Sequence, residues 1–287
     1  MLQGKINTMT KIVFDIGGTS MRVASIVSEN VGEVHKIPTP KEPKEGVETL
    51  VKLMRECAGD EPIESSAGGF PGVLGVGVVH YAPNLPEWIG VKLATEASKI
   101  LGAPVLVHND GDCAALGEAV YGAGRGSQNV AYVGVGTGIG CGRIVGGRID
   151  SGVYDLEAGH QIVDASGGKA LEELVSGRAF EKRYGVHPSK APREGYEEMT
   201  STLAAGLYNM MLHWSPEIFV LGGSMMNEGN GYRLADIALA NNLGCLDYCE
   251  KLARKCRKIL ERNPYFINRL YFIELIEWER NLCWSNP

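Results

Sequence analysis

Lys11 to Val27 reads KIVFDIGGTSMRVASIV: an apolar run, paired glycines and a second apolar run. The composition predicts a strand, a glycine turn and a return strand. The plan comes back about 120 residues later in NVAYVGVGTGIGCGRIVGGRI (129–149), and a third apolar run, EIFVLGGSMM (217–226), again ends in paired glycines. Two strand–glycine–strand units at that separation predict two similar α/β domains facing each other across a cleft.

The bulk numbers agree with such a chain. Its 287 residues can bury two modest cores, and 44% hydrophobic with 22% charged residues is the composition of a soluble globular protein. A net charge of −6 argues against a nucleic-acid surface, which needs clustered Lys and Arg. No run approaches the roughly 20 apolar residues of a membrane span. The start, MLQGKINTMTK, has no apolar signal core, so a cytoplasmic protein is expected. Seven cysteines, an odd number without a CxxC pair, fit reduced thiols.

Between the two glycine units, VKLATEASKILG predicts a helix ending at Gly102, PVLVHND a buried strand, and CAALGEAVYG a small-residue helix. The domain boundary is expected near residue 112, giving an N-terminal α/β domain over 1–111 and a C-terminal α/β domain over 112–287. GGKALEELVSGRAFEKRYG and YEEMTSTLAAGLYNMMLHW are further helices. CLDYCEKLARKCRKILERN (245–263) has the pattern of an amphipathic helix with a solvated charged face. YFINRLYFIELIEW (265–278) suits either a docking segment or a last core helix.

Neither GxGxxG nor GxxxxGK[ST] occurs. What the chain offers instead is two turns in which glycine bares the backbone amides, each with a hydroxyl beside it, Thr19 and Thr137. Such turns either make tight hairpins or cradle phosphate oxygens, and the presence of two favours phosphate. Asp15, directly before the first turn, is placed to hold Mg²⁺ through water. Asn109 and Asp110 follow a buried strand. There an aspartate either accepts the proton of an attacking hydroxyl, with the asparagine orienting the substrate, or caps the next helix. In DLEAGHQIVD (155–164), Glu157 and His160 stand three residues apart. They suit metal ligation, acid–base work, hydrogen bonding to a polar ligand, or bracing of a turn.

DIGGTSMRVA, GFPGV, APNLPEW, VHNDGDCAALGEAVYGAGRG, VGVGTGIGCGRIVGGRI, EAGH and PEIFVLGGSMM together resemble, in order, the motifs of the ROK family (repressor, open reading frame, kinase). The resemblance implies the actin-like ATPase (ribonuclease H-like) fold and an ATP-dependent sugar kinase. It implies that Asp15, Gly17, Gly18 and Thr19 form the first phosphate loop with its Mg²⁺, and Gly136, Thr137, Gly138 and Gly140 the second. Gly222 and Gly223 would lie under the adenosine. Gly72, Asn84, Asn109, Asp110, Glu157, His160 and Glu172 would hold sugar hydroxyls, with Asp110 as general base. The expected substrate is a hexose, phosphorylated on the 6-hydroxyl of glucose or a close relative. An N-acetylhexosamine kinase and a degenerate sugar- or nucleotide-binding regulator are the alternatives. A homodimer fits the family. A DNA-binding repressor is not expected, because only ten residues precede Lys11 in this sequence.

Three features depart from the family. The zinc motif CxCGxxGC that follows its ExGH is missing, since no cysteine occurs between Cys141 and Cys245. A lone His160 cannot complete a four-ligand zinc site. The turn after His160 is then expected to rest on packing of Ile162, Val163 and the helix around Leu171–Leu174. NDGD replaces NDAN, so Asp112 is expected either to raise the apparent pKa shared with Asp110 or to compete for Mg²⁺. After Met226, the chain before LANNLGC runs about one helix–strand unit short of the family. Elemental analysis of the purified protein is expected to find no stoichiometric zinc; one zinc per chain would overturn that expectation.

Overall fold

A computed structural model of the chain describes residues 9–27, 30–150, 152–226, 231–233 and 236–237, together with the backbone of 271–274. By packing, the chain divides into two compact units. One comprises Met1–Cys113 with Gly152–Asp155, and the other Ala114–Ser151 with Leu156–Pro287.

In the first unit, β1 (Thr10–Ile16) turns Ile12, Phe14 and Ile16 into the core, the period-two pattern of a strand with one dry face. It reverses through Gly17–Thr19 into β2 (Ser20–Val27), which pairs with β3 (Asn30–Val31) and β4 (His35–Pro38). Helix α1 (Pro43–Ala58) then carries the chain across to β5 (Ile63–Phe70), parallel to β1. The helix begins where Pro43 needs no amide partner and the Glu42 carboxylate accepts the amide of Glu45 at 2.7 Å. Its buried face is Gly46, Val47, Leu50, Val51 and Met54. The short hairpin β6 (Val73–Gly75) and β7 (Val78–Tyr81) leads to α2 (Leu93–Leu101), closed by Gly102 in the left-handed conformation as expected. Parallel β8 (Val105–Asn109) completes the sheet in the order β3-β2-β1-β5-β8.

Helix α3 (Asp110–Val120) carries the chain into the second unit. There β9 (Asn129–Val135), β10 (Ile139–Val145) and β11 (Arg148–Ile149) form an antiparallel ladder. The small hairpin β12 (Ile162–Asp164) and β13 (Lys169–Ala170) follows. Next come α4 (Leu171–Val175), α5 (Gly177–Tyr184) and α6 (Arg193–Trp214), and then β14 (Ile218–Gly222), parallel to β9. The path β11-β10-β9-β14 thus repeats β3-β2-β1-β5 of the first unit. Both faces of this sheet are covered. Val133 and Val135 pack with Leu171, Phe180 and Leu203, while Val130, Ile144 and Val220 pack with Ala115 of α3.

Three expectations change. The helix read as one piece over GGKALEELVSGRAFEKRYG breaks at Ser176, whose extended backbone ends α4 and whose hydroxyl accepts the amide of Ala179 to start α5. Helix α6 starts at Arg193, before its apolar pattern, because an Arg193–Glu197 pair at i,i+4 occupies its polar first turn. Tyr271–Glu274 is a strand, β15, antiparallel to β14, and not helix. The amphipathic helix read over 245–263 lies outside the described residues.

A single glycine shows how tightly the first core is fitted. A Cβ on Gly46 would lie 2.2 Å from Trp88, whose ring is fully buried and donates its indole N–H to the Pro40 carbonyl at 3.3 Å. Glycine to alanine in an open helix stabilises by about 1 kcal/mol. Here overpacking wins, and Gly46→Ala should lower stability by about 1–3 kcal/mol, read as a lower urea midpoint at unchanged slope.

Candidate active site

The first glycine turn is held by its carbonyls. The Gly17 amide donates to the Ser20 carbonyl at 2.9 Å, the Gly17 carbonyl accepts the Thr39 hydroxyl at 2.7 Å, and the Thr19 carbonyl accepts the Thr39 amide at 3.1 Å. Lys41 donates to the Gly18 carbonyl at 2.9 Å and to the Asn84 carbonyl at 3.2 Å. The consecutive amides of Gly18 and Thr19 take no part in these bonds. Gly18 also has to be glycine, because a Cβ there would sit 2.6 Å from that of Asn84. Asp15, at the end of β1, pairs with Arg22 directly across the ladder at 2.6 Å.

Asn109 and Asp110 stand where β8 passes into α3. The Asn109 side-chain oxygen accepts the Gly111 amide at 2.7 Å, capping the helix, and its nitrogen donates to the Gly72 carbonyl at 3.0 Å. Gly72 can come this close only without a side chain, since a Cβ would lie 2.1 Å from the Tyr81 carbonyl. Asp110 accepts the same Gly111 amide through its own Oδ1 at 2.9 Å. Desolvation raises its pKa, the Gly111 amide pulls it down, and the nearby Asp15 carboxylate pushes it up. Asp15 is thus a charge that acts on Asp110 from the end of β1, while Asp112, two positions after Asp110, is 0% exposed. Burial and the surrounding carboxylates push the Cys113 thiol up to about 12, so it stays neutral.

The second turn is built alike inside the other unit. The Gly136 amide donates to the Gly138 carbonyl at 2.9 Å, while the carbonyls of Gly136 and Thr137 accept the first amides of α5, from Gly177 at 2.7 Å and Arg178 at 3.1 Å. The amides of Thr137 and Gly138 take no part in these bonds, and Gly140 already lies in the ladder opposite Gly134. Glu172 of α4 comes against this turn: its carboxylate accepts the Ile139 amide at 2.7 Å. Gly222 and Gly223 end β14 beside it. Gly223 has φ +93° and a Cβ there would meet the Val135 carbonyl at 2.4 Å, so no other residue fits.

Glu157 and His160 bracket a short 3₁₀ turn, with carboxylate oxygen and imidazole Nδ1 3.5 Å apart and His160 47% exposed.

This combination of paired glycine turns with a strand-end aspartate has known relatives. A model of the ROK family matches residues 11–237. The chain belongs to the ROK family. A glucokinase from Streptomyces coelicolor is 29% identical over 263 residues, covering 75% of this chain and 82% of the relative. An N-acetyl-D-glucosamine kinase from Yersinia enterocolitica is 30% identical over 262 residues, covering 77% and 86%. The solved structure of a ROK glucokinase from Streptomyces griseus, in complex with glucose and AMPPNP, matches with a TM-score of 0.63 at 25% identity, covering 86% of this chain and 89% of that one. The fold is the actin-like ATPase fold, and the protein is a sugar kinase.

Hydrogen bonds brace the turn after His160. Gln161 is their centre. Its side chain donates to the carbonyls of Ala158 at 2.9 Å and Gly206 at 3.3 Å and accepts from Asn209 at 3.1 Å, and its carbonyl accepts the Leu171 amide at 2.9 Å. Cys141 of β10 donates its thiol to the Leu156 carbonyl at 3.0 Å, and its sulfur accepts the Ala158 amide at 3.2 Å. The expected packing role of Ile162 is wrong. It is 57% exposed, while Val163, Leu171 and Leu174 do pack with the core. Among the described residues, no three His, Cys, Asp or Glu side chains gather to hold a metal ion. No described helix is long and apolar enough to cross a membrane.

Sequence reading missed Thr39 and Lys41, which sit in a Pro-rich turn segment with no chemistry of its own, and Asp155. The Asp155 carboxylate accepts the Leu74 amide at 2.6 Å within the first unit, and burial raises its pKa. Its only signal was its place at the head of DLEAGH.

The Asp110 carboxyl should titrate above the ordinary aspartate value of about 3.9. Asp15→Asn removes the charge that raises it, so its midpoint should fall, read by NMR titration of the carboxyl carbon; an unchanged midpoint would show that Asp15 has no hold on it.

Proposed function

We propose that this ROK sugar kinase transfers the γ-phosphate of ATP to a hexose, on the 6-hydroxyl of glucose or a close relative, with Asp110 as general base. The observation that carries the reading is Asp110 itself: a carboxyl at a strand end, with a raised pKa, close enough to feel the charge of the Asp15 that opens the first glycine turn. A raised pKa makes a carboxylate a better proton acceptor. The hydroxyl oxygen attacks the γ-phosphorus as the bond to the bridging oxygen breaks, its proton passes to Asp110, and ADP leaves.

The remaining roles follow the chemistry of each group. The spare amides and hydroxyls of Gly17–Thr19 and of Gly136–Gly138, with Gly140, are assigned to the phosphates, and Gly222 and Gly223 to the adenosine. Phosphoryl transfer needs little beyond such positioning and charge neutralisation. Mg²⁺, when bound, would supply part of that neutralisation. Asp15 would be the residue to hold it, through water, with one carboxylate oxygen engaged by Arg22 and the other left for the hydrated ion. Gly72, Asn84, Asn109, Glu157, His160 and Glu172 are assigned to sugar hydroxyls. The Yersinia relative supports a second reading, an N-acetylhexosamine substrate, which differs by one ring substituent and so by local pocket shape.

A coupled assay of ATP consumption over hexoses and N-acetylhexosamines separates the two. Turnover is expected with glucose or a close relative. Sugar-stabilised melting without turnover on any sugar would make the chain a binding protein. Asp110→Asn should keep sugar binding and lower kcat by about 100- to 10,000-fold. Full activity in that variant would remove Asp110 from the mechanism.

A further inference from the structure

The family resemblance gives Glu172 one task, holding a sugar hydroxyl. Its geometry gives it another. One carboxylate oxygen, Oε2, accepts the Ile139 amide at 2.7 Å, and a Cβ on Gly138 would lie 2.6 Å from that same oxygen. The carboxylate therefore packs against the backbone of the second glycine turn, at the end opposite the amides of α5.

Helix α4 is well anchored for this purpose. Leu171 and Val175 are fully buried, and Gly206 of α6 leaves room for Leu171, since a Cβ there would lie 2.5 Å from it. Glu173 accepts the Ala170 amide at 2.9 Å and fixes the start of the helix. Through Ser176 the same chain segment continues into α5, whose first amides hold the Gly136 and Thr137 carbonyls. Gly136, Thr137 and Ile139 are thus all held by the seven residues from Glu172 to Arg178, the first two by backbone amides and Ile139 by the Glu172 side chain.

We propose that Glu172 is a positioning residue for the second phosphate turn, and that through it sugar and nucleotide binding are coupled. A carboxylate has two oxygens. With Oε2 committed to Ile139, a sugar hydroxyl donating to the group stiffens the turn whose amides receive the phosphates. Coupling of this kind is reciprocal, so nucleotide in the turn also fixes Glu172 for the sugar. The inference rests on the proposed assignments of Glu172 to sugar and of this turn to phosphate.

The test is calorimetric binding of AMPPNP to the whole chain, first without sugar. Glu172→Ala should weaken AMPPNP binding about fivefold or more. Glu172→Gln, whose amide oxygen still accepts from Ile139, should bind it nearly as wild type does. This rescue separates a hydrogen bond to the turn from general damage to the fold, which thermal melting of both variants checks as well. Saturating glucose should tighten AMPPNP binding to wild type about fivefold and leave Glu172→Ala unmoved. Equal AMPPNP affinity in wild type and Glu172→Ala, or equal tightening by glucose in both, overturns the coupling while leaving the kinase reading intact. Failure of wild type to bind AMPPNP at all overturns both.

Discussion

The arrangement on which the rest depends is the capture of carbonyls at the two glycine turns. A tight turn offers amides and carbonyls alike, and a phosphate would be repelled by the carbonyls unless they were occupied. In the first unit Thr39 and Lys41 occupy them, and in the second the opening amides of α5 do. The donors differ in kind, one set from side chains and a loop, the other from a helix end. The outcome is common: the turn's carbonyls are engaged, and two consecutive amides take no part in those bonds.

The strands, the turns and most helices could be read from the chain because each depends on neighbours in sequence. Gly102 stopping α2 and Asn109 capping α3 are local devices with local signatures. What could not be read depends on partners far along the chain. Nothing near Lys41 points to Gly18 or Asn84, and nothing near Glu172 points to Ile139. The break at Ser176 was concealed because an apolar pattern runs straight through it. Asp112, two positions after Asp110, is buried, while the charge of Asp15, ninety-five positions before Asp110, raises the Asp110 pKa.

The turn after His160 is held by several hydrogen bonds that reach distant parts of the chain. Here Gln161 reaches two carbonyls, one amide side chain and the start of α4, and Cys141 fastens the preceding turn to β10. Neutral bonds of this kind contribute about 1 kcal/mol each, so the turn draws on several of them at once.

Cys113 has a quiet consequence for the chemistry beside it. Peroxides, disulfides and alkylating agents react with thiolate, and the Cys113 thiol is held in its protonated form by burial first and by the acidic groups around it second. Asp15, whose charge raises the Asp110 pKa, thereby also helps to keep this sulfur protonated. Oxidative stress that disables enzymes through an activated cysteine finds no such handle at this position.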